Sequence, residues 1–145
     1  MQTQRVEIRF PGTHAGFAEA FTRLLSALDA ERLEAAARYH AELVFEEIVD
    51  NIVSHGAPDG RELDVRVTLD ARPDSIILTF EDNGVPFDPR RRADPEPPKS
   101  LEEAKIGGFG LMLVRRAAGG SFDYLRTAAG RNQVTVAVPR SGTTP

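Results

Sequence analysis

The stretch LDVRVTLDARPDSIILTFED, residues 63–82, decides the fold class. Leu63, Val65, Val67 and Leu69 alternate with polar residues, and Ile76, Leu78 and Phe80 repeat the pattern. A period of two marks strands with one face buried. The connection Asp70-Ala71-Arg72-Pro73-Asp74 is long enough only for a turn, so the two strands pair antiparallel. A doubly wound fold needs a helical crossover at this point, and none fits.

Toward the N-terminus, Val6, Ile8 and Phe10 alternate against Arg5, Glu7 and Arg9, which predicts a strand over Arg5–Phe10 ended by Pro11-Gly12. Phe17, Phe21, Leu24, Leu25 and Leu28 have helical spacing, which predicts a helix over about residues 14–28. Asp29 is expected to cap a second helix running from Ala30 to Ser54, stopped by His55-Gly56-Ala57-Pro58. Toward the C-terminus, Ser121–Thr127 and Gln133–Val138 predict a second hairpin around Ala128–Asn132. No strand is a continuous apolar run, so one sheet face is covered and the other partly wet. The expected fold is an α/β two-layer sandwich, a mixed and mostly antiparallel sheet with helices on one face.

The chain has 145 residues, which predicts one domain over residues 1–145. Lysine and arginine number 18 against 22 acidic residues, a net charge of −4 with no long basic stripe, which argues against nucleic-acid binding. No apolar run reaches membrane-spanning length. The opening Met1-Gln2-Thr3-Gln4-Arg5 lacks the apolar stretch of a secretory signal, so the expected location is cytoplasmic. Without cysteine there is no disulfide framework, zinc ribbon or thiol nucleophile. Five of the ten prolines, Pro86, Pro89, Pro95, Pro97 and Pro98, fall in one short stretch. Residues 86 to about 106 therefore predict a long loop, with a helical turn near Ser100–Ala104, and loops of that length are usually functional. A tail over 140–145 is expected to be disordered.

Three places hold polar residues where chemistry can act. On the second helix, Ile48, Asn51 and His55 lie within about 40° of Val44, and Glu47 about 60° to one side. Glu47, Asn51 and His55 thus line one edge of the apolar stripe, while Glu46 and Asp50 fall on the exposed arc. Burial of such groups is costly unless they find partners or a ligand. Either Asn51 and His55 satisfy nearby backbone and Glu47 pairs with an arginine, or the line faces a ligand. Asp82, at a strand end in Glu81-Asp82-Asn83-Gly84, is either part of a plain Asn-Gly turn or an acceptor for an amino group. Gly107-Gly108-Phe109-Gly110 opens a helix from Leu111 to about Ala118, so it is either a hinge or an anion site built from free amides at a helix N-terminus. No Gly-Lys-Ser/Thr follows and no strand precedes, which excludes a P-loop and a dinucleotide fingerprint.

In this order the motifs Glu47-x-x-x-Asn51-x-x-x-His55-Gly56, Asp82-x-Gly84-x-Pro86-Phe87-Asp88 and Gly107-Gly108-Phe109-Gly110-Leu111 resemble the GHKL ATPase superfamily (the Bergerat fold). In detail the chain resembles the bacterial anti-sigma factor serine/threonine-protein kinases, over nearly its whole length. The resemblance implies that Asn51 coordinates Mg²⁺ bridging the ATP phosphates and that Glu47 is the general base. It implies that Asp82 binds the adenine amino group, that Gly84 lets the base approach, and that the amides of Gly107, Gly108 and Gly110 receive phosphate. Residues 86–106 would be the ATP lid. His55, Phe87, Phe109 and Leu111 would be further nucleotide-contacting positions, Thr135 would help hold the adenine side, and Lys105, Arg115 or Arg116 would either meet phosphate charge or be ordinary surface charge.

The implied partners are ATP, Mg²⁺, an anti-anti-sigma (STAS-type) protein as phosphoacceptor, a sigma factor, and a second copy of the chain through the edge of the first strand. The alternative is a nucleotide-dependent binding switch without catalysis, which a base beside the metal ligand disfavours. A detached histidine-kinase domain would need a helix pair with a phosphoacceptor histidine. His14 and His40 are expected instead in a loop and in helix packing. A gyrase-like ATPase would need a transducer domain.

Overall fold

The computed structural model describes residues 4–91, 114–117 and 121–141. Five strands, β1 (Arg5–Pro11), β2 (Asp64–Ala71), β3 (Ser75–Asp82), β4 (Phe122–Arg126) and β5 (Asn132–Pro139), form one sheet in the order β1-β2-β3-β5-β4. All four pairings are antiparallel. Two helices, α1 (His14–Asp29) and α2 (Ala35–His55), join them, with a 3₁₀ turn at Pro89–Arg91 and a helical segment at 114–117.

The hairpin that fixes the fold is present. Ala71 sits opposite Ile76, and Arg72 N–H closes the turn on Ser75 O at 2.8 Å. From there the register carries Val65, Val67 and Leu69 onto the same face as Phe80, Leu78, Val134 and Val136. That face is the core, and Ile8, Leu24, Phe45, Ile48, Val67 and Leu78 are fully buried within it. Phe45 of α2 is its centre, with ring centroids 5.9–6.2 Å from Phe10, Phe17, Phe21 and Phe80. The opposite sheet face is polar, with Arg5, Glu7, Arg66, Thr68, Thr79 and Glu81 around a shallow recess. Two helices on one face of an antiparallel sheet is what the alternating strands require.

The helix boundaries differ from expectation at one junction. Thr13 caps α1, accepting a hydrogen bond from Gly16 N–H at 3.0 Å. Asp29 ends α1 instead of starting α2, and its carboxylate takes Arg38 at 2.5 Å. The turn between the helices passes through Arg32 at φ 50°, which breaks the predicted Ala30 start. α2 begins at Ala35, after Glu34, whose side chain makes no capping bond.

The end of β5 is fastened to the rest of the molecule. Arg140 N–H donates to Asp74 O at 3.0 Å, its Nε to Arg72 O at 2.5 Å, and its guanidinium to Glu31 Oε1 at 2.5 Å. One residue from the expected tail thus ties the β2–β3 turn to the α1–α2 turn; residues 142–145 lie outside the described set. Removing a half-buried charged donor leaves Glu31 unpaired, so Arg140→Ala is expected to cost about 1–2 kcal/mol of stability. Urea denaturation with an unchanged m-value is the check.

Candidate functional site

α2 and the β3–β5 pair converge at one end of the sheet. The C-terminal turn of α2 reaches the loop after β3, where Val85 N–H donates to Gly56 O at 2.9 Å. Gly84 is needed for that approach. A Cβ on Gly84 would stand 2.7 Å from Gly56 O and 2.8 Å from Asp82 Oδ1. Gly84 has no left-handed φ, so the space it leaves, and not a turn conformation, is what it supplies. Asn83 points away, its amide bridging Glu62 O and Asp64 N–H, so the segment is not an Asn-Gly hairpin turn.

Asp82 is buried at the end of β3, 3% exposed. Its Oδ1 accepts from Gly84 N–H at 2.8 Å and from Asn132 Nδ2 at 3.0 Å. Among the described residues Oδ2 accepts nothing. Burial raises the Asp82 pKa, and the Asn132 and Gly84 hydrogen bonds oppose the rise, as do the nearby charges of Arg131 and Arg126. Such a carboxylate has one oxygen committed to the protein and one available to a donor.

Asn132 faces Asp82 across the β3–β5 ladder and is the hub of the loop. Its Nδ2 also donates to Val85 O at 2.8 Å. Its Oδ1 accepts from Tyr124 OH at 2.6 Å, Arg126 at 3.1 Å and Phe87 N–H at 3.2 Å. Arg126 holds Gly84 O as well, at 2.9 Å. A fully satisfied buried amide of this kind fixes the positions of everything around it.

On α2, Asn51 Nδ2 donates back to Glu47 O at 2.8 Å. That bond leaves Oδ1 as the outward atom of the amide. Glu47 is half-buried, and its carboxylate has no hydrogen bond or ion pair among the described residues, so of the two readings the pairing with an arginine is not seen there. Burial raises its pKa, and the charges of Asp50 and Glu46 raise it further. Ile48, Asn51, Ile52, Asp82, Phe87 and Asn132 enclose a cavity of about 20 Å³, room for roughly one water. Phe87 closes its outer side and stacks on His55 with centroids 5.2 Å apart. Beyond Phe87 lies an open cleft of about 810 Å³.

The structure therefore brings together Asn51, His55, Asp82, Gly84 and Phe87, with Glu47 one helical turn before Asn51 on α2. It does not bring Thr135, which pairs with Thr79 and Asp123 on the sheet face away from the helices. Strand parity separates it from the site: Val134 and Val136 point to the core, so Thr135 points the other way. Lys105, Gly107, Gly108, Phe109, Gly110 and Leu111 lie outside the described residues, as does the lid from residue 92 on. Asn132 was not anticipated, although the same parity places it with Val134 on the inner face. No group of three metal-ligating side chains exists among the described residues. Asn51 Oδ1 is a single neutral oxygen donor, which fits a magnesium ion held mainly by phosphate and water. No described helix is long and apolar enough to cross a membrane.

Residues 10–138 match the family model of the histidine kinase-like ATPase domain. Over 85 residues the chain is 34% identical to the serine/threonine-protein kinase BtrW of Bordetella bronchiseptica, a match covering 59% of this chain and 60% of that protein.

Proposed function

Because the chain belongs to the histidine kinase-like ATPase domain family, we propose that it is an ATP-dependent regulatory serine/threonine-protein kinase. Its substrate is an anti-anti-sigma protein of the STAS type, and a sigma factor is its second partner. Phosphorylation then decides which of the two is held in the cytoplasm. Homodimerisation through the free edge of β1 is part of the same reading.

The observation that supports it best is the arrangement on α2. A clamped Asn51 presents one oxygen beside the Asp82 cavity, and one helical turn away Glu47 has no partner among the described residues. An unpaired half-buried carboxylate costs stability, which a purely structural residue has no reason to do. The Asp82 Oδ2 position suits an exocyclic amino group such as that of adenine. A purine enters only when Phe87 and Pro89 move outward, since the cavity is filled down to about 20 Å³. Bound magnesium neutralises phosphate charge, the chemistry that phosphoryl transfer most needs besides positioning. Glu47 takes the proton of the acceptor hydroxyl, and Asn51 orients the metal end of the nucleotide. BtrW, a named serine/threonine kinase matched over three fifths of its length, favours the kinase over a silent switch.

The test is phosphate transfer from Mg-ATP to the STAS proteins of its own genome. Tight ATP binding without transfer to any of them would favour the non-catalytic switch.

The raised pKa of Glu47 gives this reading a pH dependence. A base works only when ionised, so transfer at saturating Mg-ATP should fall on acidification at a pH above the ordinary glutamate range. Stability runs the other way. A carboxyl with a raised folded pKa binds its proton more readily in the folded state. Its stabilising effect is present below the unfolded glutamate value and is lost as pH rises through the folded one. Transfer and stability should therefore change in opposite directions across that window. A rate profile and thermal melts of wild type and Glu47→Gln at matched pH measure both; a Glu47→Gln difference in melting temperature that is flat with pH would count against it.

A further inference from the structure

Among the described residues β4 is the outer strand of the sheet, with β5 its one neighbour. The backbone bonds Ala137 N–H to Ser121 O and Thr127 N–H to Arg131 O bracket their ladder. The antiparallel alternation between them turns the N–H and C=O groups of Phe122, Tyr124 and Arg126 outward. No described residue bonds to these groups. The strand has neither proline nor lysine, and its even register leaves no bulge, so two of the devices that blunt an edge are missing from it. Leu125 stands 50% exposed on it.

The open cleft of about 810 Å³ runs along this edge. Phe87, stacked on His55, and Tyr124 make an aromatic wall. Arg90 and Arg91 stand on its rim. They share a single carboxylate, Asp88, at 3.1 and 3.7 Å, and Asp123 is 3.9 Å from Arg90. Arg91 keeps 87% of its side chain exposed. Among the described residues that line the cleft, two guanidiniums, Arg90 and Arg91, meet one carboxylate, Asp88, so that lining has net positive charge. An edge strand, an aromatic wall and a cationic rim in one groove are the elements of strand addition. Backbone bonds supply affinity there, and alternate side chains supply specificity.

We propose that the outer edge of β4 and the adjoining cleft are a docking groove for an extended, acidic segment of a partner protein. The segment adds a sixth strand beside Tyr124 and Arg126, sets acidic side chains against Arg90 and Arg91, and lays an apolar side chain on the Phe87–Tyr124 wall. A second copy of this chain fits less well, because edge-to-edge pairing of two β4 strands sets the same arginines against each other. The groove also touches the rest of the site. Tyr124 and Arg126 grip Asn132 and Gly84, so a segment seated on β4 is felt at the loop after Asp82.

Fluorescence anisotropy with a labelled heptapeptide alternating glutamate with valine and phenylalanine tests this, using the full chain. The acidic peptide should bind saturably, with its lysine counterpart and a proline-interrupted version weaker by about tenfold or more. Arg91→Glu and Leu125→Lys, both on exposed side chains, should each weaken the acidic peptide by about fivefold while thermal melting stays at the wild-type value. Amide resonances of Tyr124 and Arg126 should shift on binding, followed by those of Gly84–Phe87. Equal binding of all three peptides, indifference to Arg91→Glu, or shifts confined elsewhere would overturn the proposal. So would a dimer in sedimentation that Leu125→Lys dissolves and the peptide does not displace, which would give the edge to a second copy.

Discussion

Glu47→Gln should lower phosphate transfer to the protein acceptor by about 10²–10⁴-fold, the range for removing a positioned general base. Mg-ATP affinity should change little, because the substitution keeps the shape of the side chain and leaves the Glu47 carbonyl, which holds Asn51, in the backbone. The variant should also be slightly more stable. Glutamine ends the repulsion with Asp50 three residues on, a gain of about 0.2–0.5 kcal/mol for a helix pair of like charge. Loss of transfer with gain of stability distinguishes a functional carboxylate from one kept for folding. Single-turnover transfer at saturating ATP and a thermal melt of the same preparation read both. A Glu47→Gln protein that transfers phosphate at the wild-type rate removes the base from the account.

The second large effect is expected at Asp82. Asp82→Asn keeps an oxygen for Gly84 N–H and Asn132 Nδ2, so the loop retains its anchors. The other position becomes an amide NH₂. A donor then meets the amino group of the base, and the loss of a charge-assisted hydrogen bond is about 1.5–3 kcal/mol, or 10- to 150-fold in affinity. Folding stability should hold or rise, because a carboxylate that burial disfavours has been neutralised. Titration calorimetry with Mg-ATP measures the first, and denaturation the second. Weak binding accompanied by a large fall in stability would mean that Asp82 serves the loop and not the ligand.

Much of this arrangement is written locally. The strands of residues 63–82 show their sidedness residue by residue, and the polar line Glu47, Asn51, His55 follows from helical spacing alone. Asp82 is visible as a carboxylate at a strand end with no new strand after it. The junction at 30–34 was hidden because Asp29 is as good a residue for ending one helix beside Arg38 as for capping the next. The left-handed Arg32 gives no compositional warning. Asn132 was hidden for a different reason. Its partners Asp82, Phe87 and Tyr124 are 8 to 50 residues away, so no spacing rule connects them. Only the pairing of β3 with β5 sets Asn132 opposite Asp82. The same parity that buries Val134 and Val136 put Thr135 on the wrong face for a role at the cavity.

The central claim is that the cavity between Asn51, Asp82 and Asn132 is where nucleotide binds. The most direct measurement is a Mg-ATP titration followed by the side-chain amide signals of Asn51 and Asn132 and the backbone amide of Gly84. The account predicts that all three shift together along one saturable curve, and that Asp82→Asn moves that curve to about 10- to 150-fold higher ATP. Saturable binding that leaves those three signals in place would contradict it.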